Sequence, residues 1–216
     1  MITDAALMQH VVDTYAPLGV LALGAWDQAW TREGVQVGLR HVGAVDVIAF
    51  RGSVDSQDWL RDFEGWAKLH PLLGYCHSGF LQGMDTVADE LSMAVAAGRP
   101  FILTGHSLGA ARALLVAGLF IAQKRPLPAA VVTFGTPKPG MAKLSILLNG
   151  GGFPIRHYCN GPDPIAELPL TIPPLLMYQK PQADIAISCA PQIDAEDAMN
   201  WHDEMLYLEA MKRRGS

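Results

Sequence analysis

Apolar runs of strand length alternate along this chain with longer stretches in which apolar residues recur at helical spacing. The pattern predicts strands near residues 35–41, 45–50, 130–134, 154–159 and 183–189, and helices near 4–15, 79–97 and from 203 onward. Between them, a strand that begins at residue 100 passes directly into a helix that reaches residue 123. This alternation predicts an α/β fold in which a mostly parallel sheet carries helices on both faces.

The links between these elements favour a single domain over residues 1–216. Stretches rich in proline and glycine occur at 135–140, 149–154 and 160–174, and we interpret each as a loop within one domain rather than as a boundary. The chain has 216 residues, 50% of them hydrophobic, which is enough to bury a large core.

Charge and apolar content argue against two kinds of partner. The chain has 16 basic and 21 acidic residues, a net charge of −5, whereas phosphate backbones are bound by basic faces. We therefore expect no nucleic-acid partner. No run approaches the roughly 18 uninterrupted apolar residues of a transmembrane helix, so we expect no transmembrane segment. The oligomeric state is left open.

Metal chemistry is not expected either. The chain has 7 histidines and 3 cysteines, yet no His-x-x-x-His or Cys-x-x-Cys spacing occurs. The sequence therefore implies no metal ion and no cofactor.

The cysteines bear on the cellular compartment. Cys76, Cys159 and Cys189 are odd in number and widely spaced, which argues against a disulfide framework. The first residues carry no positive charge before an apolar run and instead favour a helix capped by Thr3 or Asp4. Both observations favour a cytoplasmic protein, with secretion as the alternative if a leader segment has been removed.

The most specific motif is Gly-His-Ser-Leu-Gly at residues 105–109, where the strand from residue 100 becomes a helix. A serine between small residues at such a turn is typical of a nucleophile elbow, which exposes the hydroxyl above the sheet edge. The sequence therefore predicts Ser107 as a catalytic nucleophile. A structural turn is the alternative.

A serine nucleophile needs a base, and two histidines follow Ser107 in the chain. His157 lies in a strand-like run, whereas His202 lies where a loop meets the last helix. Since catalytic side chains favour loops at strand ends, we predict His202 as the base and His157 as an ordinary strand residue. We expect His106 and His77 to be packed, structural side chains.

The base in turn needs an acid that orients it. Asp163 follows the strand at 154–159, within a Gly-Pro-Asp-Pro loop that the two prolines stiffen. We therefore predict Asp163 as the third member of a triad, with ordinary turn chemistry as the alternative. Rival acids lie just before His202, at Asp194, Glu196 and Asp197.

Two residues are candidates for stabilising an oxyanion. The backbone N–H of Leu108 follows the nucleophile and opens a helix, whose dipole favours negative charge. Ser53 follows the buried strand at 45–50, in an Arg-Gly-Ser turn, and offers both an N–H and a hydroxyl. A plain turn is the alternative for Ser53.

Aromatic residues at helical spacing follow this turn. Trp59, Phe63 and Trp66 recur within residues 54–73 among charged side chains. Such a stripe is typical of a core-facing helix, but its place directly after Ser53 also favours a lid that covers the site and meets lipid when open. Both interpretations stay open.

Taken in order, the motifs resemble those of the class 3 lipases, the fungal-lipase-like branch of the α/β-hydrolases. The match runs over about residues 35–210 and rests on Arg51-Gly52-Ser53, Asp58 to Phe63, His77-Ser78-Gly79-Phe80, Gly105 to Gly109, Phe134-Gly135-Thr136-Pro137, Asp163-Pro164-Ile165, Leu168-Pro169, His202 and Tyr207. Two features depart from the family pattern: Ala110 stands where the family often has glycine, and 216 residues is short for it.

The resemblance implies a serine hydrolase of carboxylic esters, of the acylglycerol type, that acts through Ser107, Asp163 and His202. It also implies an oxyanion site at Ser53 and Leu108 and a mobile lid just after Ser53. The partners it implies are an ester or lipid substrate and a transient contact with a lipid interface. Phospholipase A1 or thioesterase activity with the same triad, and a non-catalytic binding module on this fold, are the alternatives.

Overall fold

The computed structural model describes residues 2–15, 26–53, 66–95, 98–188 and 198–215. The strands in these ranges are β1 (Gln28–Arg32), β2 (Val35–Val42), β3 (Val45–Phe50), β4 (Ala67–His70), β5 (Gly74–His77), β6 (Phe101–His106), β7 (Ala130–Phe134), β8 (Ile155–Asn160) and β9 (Asp184–Ile187). The helices are α1 (Asp4–Asp13), α2 (Ser78–Leu81), α3 (Met84–Ala94), α4 (Leu108–Ala122), α5 (Ala142–Asn149) and α6 (Glu204–Arg214), with 3-10 helices at Pro164–Glu167 and Ala198–His202.

One seven-stranded sheet organises the fold. Its strand order is β1-β2-β3-β6-β7-β8-β9, and β4 and β5 form a separate antiparallel hairpin. The strands from β3 to β9 in this order pair in parallel, while β1, β2 and β3 pair antiparallel at one edge. The prediction of a mostly parallel sheet is confirmed. The carboxyl ends of the parallel strands therefore meet at one edge, where open α/β sheets place their sites.

Alternation within the strands divides the core between the two faces of the sheet. In β3, Ile48 packs in a cluster with α3 and α4, while Val47 packs in a cluster with α1 and α6. In β7, Val131 and Val132 divide in the same way, as burial on both faces of a parallel sheet requires. α4 is buried along almost its whole length. None of the helices in the described ranges combines the length and apolar character that a membrane crossing requires.

The structure corrects the helix predicted at 79–97. The chain forms α2 and α3 instead, with a break at Gln82 and Gly83. Gly83 has a φ of 71°, a left-handed conformation that interrupts a right-handed helix and that glycine adopts most readily.

Three elements carry no clear periodic signal in the sequence: β1, the β4–β5 hairpin and α5. β1 lies at the exposed edge of the sheet, so its residues do not alternate between core and solvent. β4 covers residues 67–70, within the region of the predicted lid, and is a strand. The helix that the aromatic stripe predicts therefore does not extend into residues 67–70.

A buried histidine makes the stability of the fold depend on pH. His157 is completely buried in β8, and the hydroxyl of Thr133 lies 2.6 Å from its Nδ1. It is a packed strand residue, as predicted. Burial, assisted by the positive charge of Lys180, lowers the pKa of His157 to about 3. The imidazole is therefore neutral in the folded protein under mildly acidic conditions.

We expect the free energy of unfolding to fall as the pH drops below the ordinary histidine pKa of 6.5. There the unfolded chain takes up a proton at His157 and the folded protein does not, so stability falls by at most about 1.4 kcal/mol per pH unit. His157→Gln should flatten this slope, as measured by urea unfolding at several values between about pH 7.5 and about pH 5. Equal slopes for the wild type and the variant would contradict this expectation.

Candidate active site

A strained serine lies at the end of β6. Ser107 has φ 57° and ψ −128°, a conformation that residues with side chains rarely adopt and that costs about 1–3 kcal/mol. Its N–H donates to the carbonyl of Phe134, and its own carbonyl accepts the N–H groups of Ala110 and Ala111. Backbone hydrogen bonds on both sides therefore hold the serine in this conformation.

The two glycines of the motif allow this turn to form. A Cβ on Gly105 would lie 2.4 Å from the backbone of Gly109. A Cβ on Gly109 would lie 2.2 Å from the carbonyl oxygen of Phe50, at the end of the neighbouring strand β3. Any side chain at either position would push the first turn of α4 away from the sheet edge.

Asp163 and His202 form a buried pair. His202 Nδ1 lies 2.7 Å from Asp163 Oδ2, and both side chains are almost completely shielded from solvent. Asp163 follows β8, and its Oδ1 accepts the N–H of Ile165 at 2.9 Å, which caps the 3-10 helix Pro164–Glu167. His202 ends the 3-10 helix Ala198–His202. The structure thus brings together the acid and the base that the sequence predicts.

The ring of His106 connects this pair to the elbow. His106 immediately precedes Ser107, and its ring packs against that of His202 in a tilted arrangement, with 4.5 Å between the centroids and 31° between the planes. His202 Nε2 is buried and makes no hydrogen bond with any residue in the described ranges. The acceptor capacity of this nitrogen is therefore unused by the described part of the protein.

Gly135 makes a second connection between the pair and the elbow. It follows Phe134, whose carbonyl accepts the N–H of Ser107. A Cβ on Gly135 would lie 2.8 Å from His202 Cε1 and 3.0 Å from Asp163 Oδ2, and its φ is 54°. Only glycine fits at this position without moving the pair.

Tyr207 supplies a further donor to the same carboxylate. Its hydroxyl donates to Asp163 Oδ2 at 2.6 Å and accepts the N–H of Asn160, at the end of β8, at 2.9 Å. The side chain is completely buried. In the sequence, Tyr207 appears only as part of the family resemblance, because a position five residues after His202 gives no sign of a shared contact with Asp163.

These donors set the charge of Asp163. Burial alone would raise the pKa of its carboxyl group, but hydrogen bonds from His202, Tyr207 and the Ile165 N–H outweigh burial and lower the pKa below its ordinary value. Burial and the neighbouring anion raise the pKa of Tyr207 well above its ordinary value. At neutral pH, Asp163 is therefore an anion and Tyr207 a neutral donor.

Tyr15 links the elbow to the turn after β3. Its hydroxyl lies 2.9 Å from His106 Nδ1 and is also hydrogen-bonded by the backbone of Gly52. A Cβ on Gly52 would lie 2.1 Å from this hydroxyl and 2.8 Å from the carbonyl oxygen of His106. Burial, together with the nearby His202, holds the pKa of His106 well below its ordinary value. His106 is thus a packed, neutral side chain, as predicted.

The predicted oxyanion residues lie on adjacent segments at the sheet edge. Phe50 of β3 pairs in parallel with Gly105 of β6, so the residues after both strands leave the sheet at the same edge. Ser53 is partly exposed there, and Leu108 is the first residue of α4, where helix N–H groups lack intrahelical partners. Their role in binding an oxyanion stays a prediction.

Several predicted residues lie outside the described ranges, namely Trp59, Phe63, Asp194, Glu196, Asp197 and Cys189. Trp66 is described and is 84% exposed, whereas His77 is buried against the ring of Phe80, as expected. Among the residues that the structure describes, no group of three or more His, Cys, Asp or Glu side chains could hold a metal ion.

For the ester hydrolysis that the family resemblance implies, Tyr207→Phe should lower kcat by about 10- to 100-fold with little change in KM, because the Asp163 anion loses a donor. It should also lower the free energy of unfolding by about 1–3 kcal/mol, because the buried Asn160 N–H loses its acceptor. Tyr158→Phe is the matched control, since that hydroxyl donates to Asp4 at 2.7 Å, outside the site. Steady-state kinetics in which both variants lose activity equally would contradict a specific role for Tyr207.

Comparison with known sequences identifies the family. The chain matches the family model described as lipase (class 3) over residues 47–172. It is 31% identical over 134 residues to secreted mono- and diacylglycerol lipase 1 of Fusarium solani, covering 57% of this chain and 39% of that protein. It is 30% identical over 157 residues to secreted mono- and diacylglycerol lipase A of Penicillium cyclopium, covering 67% of this chain and 49% of that protein. The chain spans less than half the length of these curated relatives.

The fold has a counterpart among solved structures. It is similar to that of Rhizomucor miehei triacylglyceride lipase, with a TM-score of 0.69, 19% identity, and coverage of 85% of this chain and 77% of that one. The predicted α/β-hydrolase fold is thereby confirmed. Because the family model covers more than half of the chain and includes both the elbow serine and Asp163, the chain belongs to the class 3 lipase family.

Proposed function

We propose that this chain hydrolyses carboxylic esters, with Ser107 as nucleophile, His202 as general base and Asp163 as the residue that orients the base. The observation that carries the proposal is the buried Asp163–His202 pair, whose imidazole packs against His106, the residue preceding a strained serine. A structural turn at Ser107 needs neither a buried carboxylate nor an imidazole packed beside it. Buried ionisable pairs of this kind cluster at functional sites.

The contact with Asp163 determines which nitrogen of His202 carries the proton. An ionised carboxylate only accepts hydrogen bonds, so Nδ1 donates and the neutral imidazole keeps Nε2 as an acceptor. As Ser107 Oγ attacks the carbonyl carbon of the ester, it transfers its proton to Nε2. The imidazolium that forms is stabilised by the Asp163 anion.

The attack moves negative charge onto the former carbonyl oxygen. The N–H of Leu108, at the positive end of α4, and the N–H or hydroxyl of Ser53 donate to this oxyanion. Tyr15 supports the arrangement because it binds both Gly52 and His106, the residues that precede Ser53 and Ser107. This contact supports the proposal that the two donors are positioned before the substrate binds.

The intermediate then breaks down in two stages. The C–O bond to the alcohol breaks, and the alcohol leaves with the proton held on His202 Nε2, so that the acyl group remains on Ser107. A water molecule next gives a proton to Nε2 and attacks the acyl carbon. Collapse of this second intermediate returns the proton to Ser107 Oγ and releases the carboxylic acid.

Acylglycerols are the substrate class that we favour. Both relatives described above are named mono- and diacylglycerol lipases. Phospholipids and thioesters present a similar acyl carbon to the same machinery, so the shape of the acyl and head-group pocket decides among them.

Three further parts of the proposal extend beyond the site. We propose a single domain, supported by the seven-stranded sheet, whose two faces carry the two large core clusters. We also propose a lid within residues 54–73, supported by Trp66, which is exposed and lies in the described part of this segment.

The relatives are named as secreted, which supports secretion over the cytoplasm. The expectation of a cytoplasmic protein draws in part on the cysteines, of which Cys76 and Cys159 are free thiols.

Ser107→Ala should abolish covalent labelling by a fluorophosphonate probe and lower kcat for a p-nitrophenyl ester by about 10⁴-fold or more. Ser92→Ala is the control, since Ser92 is a serine of α3 whose hydroxyl donates to the Asp89 carbonyl. Mass spectrometry of labelled peptides and steady-state rates measure the two effects. Full labelling of Ser107→Ala at another serine would overturn the proposal, and an unlabelled wild type would favour a non-catalytic binding module.

Steady-state rates on a panel of substrates identify the substrate class. We expect the highest kcat/KM for mono- or diacylglycerols when they are compared with p-nitrophenyl esters of rising chain length, phosphatidylcholine and an acyl thioester. A higher kcat/KM for the phospholipid or the thioester, with labelling of Ser107 intact, would assign the same residues to phospholipase A1 or thioesterase activity instead.

A further inference from the structure

A short uncharged hairpin follows the loop that carries Asp163. Residues 168–179 read Leu-Pro-Leu-Thr-Ile-Pro-Pro-Leu-Leu-Met-Tyr-Gln and contain no charged side chain. Ile172 and Leu176 exchange both of their backbone hydrogen bonds, each 2.8 Å long. The three residues between them, Pro-Pro-Leu, therefore form the tip of a tight turn, and all three are exposed.

The side chains that this hairpin shows to solvent are large and apolar. Leu175, at the tip, is 79% exposed, and its exposed neighbours are Leu170, Ile172 and Met177. Single exposed apolar residues are common on protein surfaces, but four within eight residues form a patch of the kind that marks an interaction site.

The base of the hairpin is fixed beside the proposed active site. The N–H of Lys138 donates to the Leu168 carbonyl at 2.6 Å, and the N–H of Gln179 donates to the Gly140 carbonyl at 2.9 Å. Residues 138 and 140 follow the carboxyl end of β7, which lies at the same sheet edge as Ser107. The apolar tip is therefore held by both legs near the loops that carry the proposed triad.

Charged residues lie only at the two ends of the hairpin, and there they are paired. Glu167 precedes it and forms an ion pair with Lys138, 3.0 Å away. Lys180 follows it and forms an ion pair with Asp184. The tip thus carries no charge that would resist transfer out of water, and no basic residue that would attract an anionic surface.

A lipid surface fits these properties better than a protein partner does. A stable protein interface buries about 800 Å² and about 20–30 residues on each side, whereas this patch spans eight consecutive residues. The net charge of −5 also disfavours approach to anionic lipid. The chemistry of the tip therefore matches lipid with a neutral or zwitterionic surface.

We propose that residues 170–177 insert into the surface of a neutral or zwitterionic lipid aggregate and anchor the active-site edge of the sheet there. The inference rests on the proposed function, because the role of insertion is to bring Ser107 to a lipid ester. It assigns the anchor to a segment more than 90 residues along the chain from the predicted lid at 54–73.

Sedimentation with sucrose-loaded phosphatidylcholine vesicles tests the inference. The full chain is used with Ser107→Ala, so that the lipid stays intact. In this background, Leu175→Asp should lower the partition coefficient by about tenfold or more, because the tip loses an apolar side chain and gains a charge. Leu170→Asp should act in the same direction. Added salt should release little protein, because no basic residue contributes to binding.

Leu127→Asp is the matched control. Leu127 is 47% exposed and precedes β7, so it lies toward the opposite edge of the sheet from Ser107. Its substitution should leave vesicle binding unchanged. With Ser107 intact, Leu175→Asp should hydrolyse a dissolved short-chain ester at the wild-type rate, which shows that the variant folds and that its site is intact.

The outcomes separate this inference from the proposed function. Equal vesicle binding by Leu175→Asp, Leu127→Asp and the unsubstituted chain would overturn the inference while leaving ester hydrolysis in place. A wild-type chain that cleaves no dissolved ester would overturn the proposed function whatever the vesicles show. A dimer that Leu175→Asp dissociates, with vesicle binding unchanged, would assign the hairpin to a second copy of the chain and also overturn the inference.

Discussion

The architecture of the site depends on a carboxylate that is wholly buried at the carboxyl edge of the sheet. An ionised group in such a place would cost several kcal/mol if it lacked hydrogen-bond donors. Asp163 meets this requirement with three donors: the N–H of Ile165, the imidazole of His202 and the hydroxyl of Tyr207. His202 lies in the 3-10 helix Ala198–His202 and Tyr207 lies in α6. Their hydrogen bonds to Asp163 therefore hold both helices against the edge of the sheet.

The need to bury and hydrogen-bond this carboxylate also constrains residues that take no part in the chemistry. Gly135 must lack a side chain because the Asp163–His202 pair occupies the space where its Cβ would be. The tyrosine hydroxyl reaches the carboxylate while it accepts an N–H at the end of β8. The strain at Ser107 is held by a carbonyl of β7 and by the first turn of α4. Folding and chemistry therefore depend on the same few contacts, and the loss of one donor weakens both.

The sequence predicts the parts of the site that have local signals. Ser107 stands between glycines where a strand becomes a helix, Asp163 stands in a proline-stiffened loop, and His202 follows both in the expected order. Contacts across the chain have no such signal. Tyr15 meets His106 across 91 residues, and Tyr207 meets Asp163 across 44. Neither partner can be recognised from spacing, because the fold alone brings them together.

The elements of the fold likewise divide into those that the sequence predicts and those that it does not. Long buried strands and the strand-to-helix unit around Ser107 follow from periodicity. The four-residue strands β4 and β5 and the exposed edge strand β1 are too short or too solvated to show a period. The break between α2 and α3 depends on a single glycine with a positive φ, which the sequence does not distinguish from a glycine inside a helix.

The proton between Asp163 and His202 offers the most direct test of this description. An imidazole N–H that donates to a buried carboxylate forms a short, charge-assisted hydrogen bond, exchanges slowly with water and resonates at low field in proton NMR. We predict one such resonance in the wild type near neutral pH, coupled to His202 Nδ1, shifted to higher field in Asp163→Asn and retained in Tyr158→Phe. A folded wild type without this resonance, or an Asp163→Asn variant in which it is unchanged, would contradict the central role assigned to the buried carboxylate.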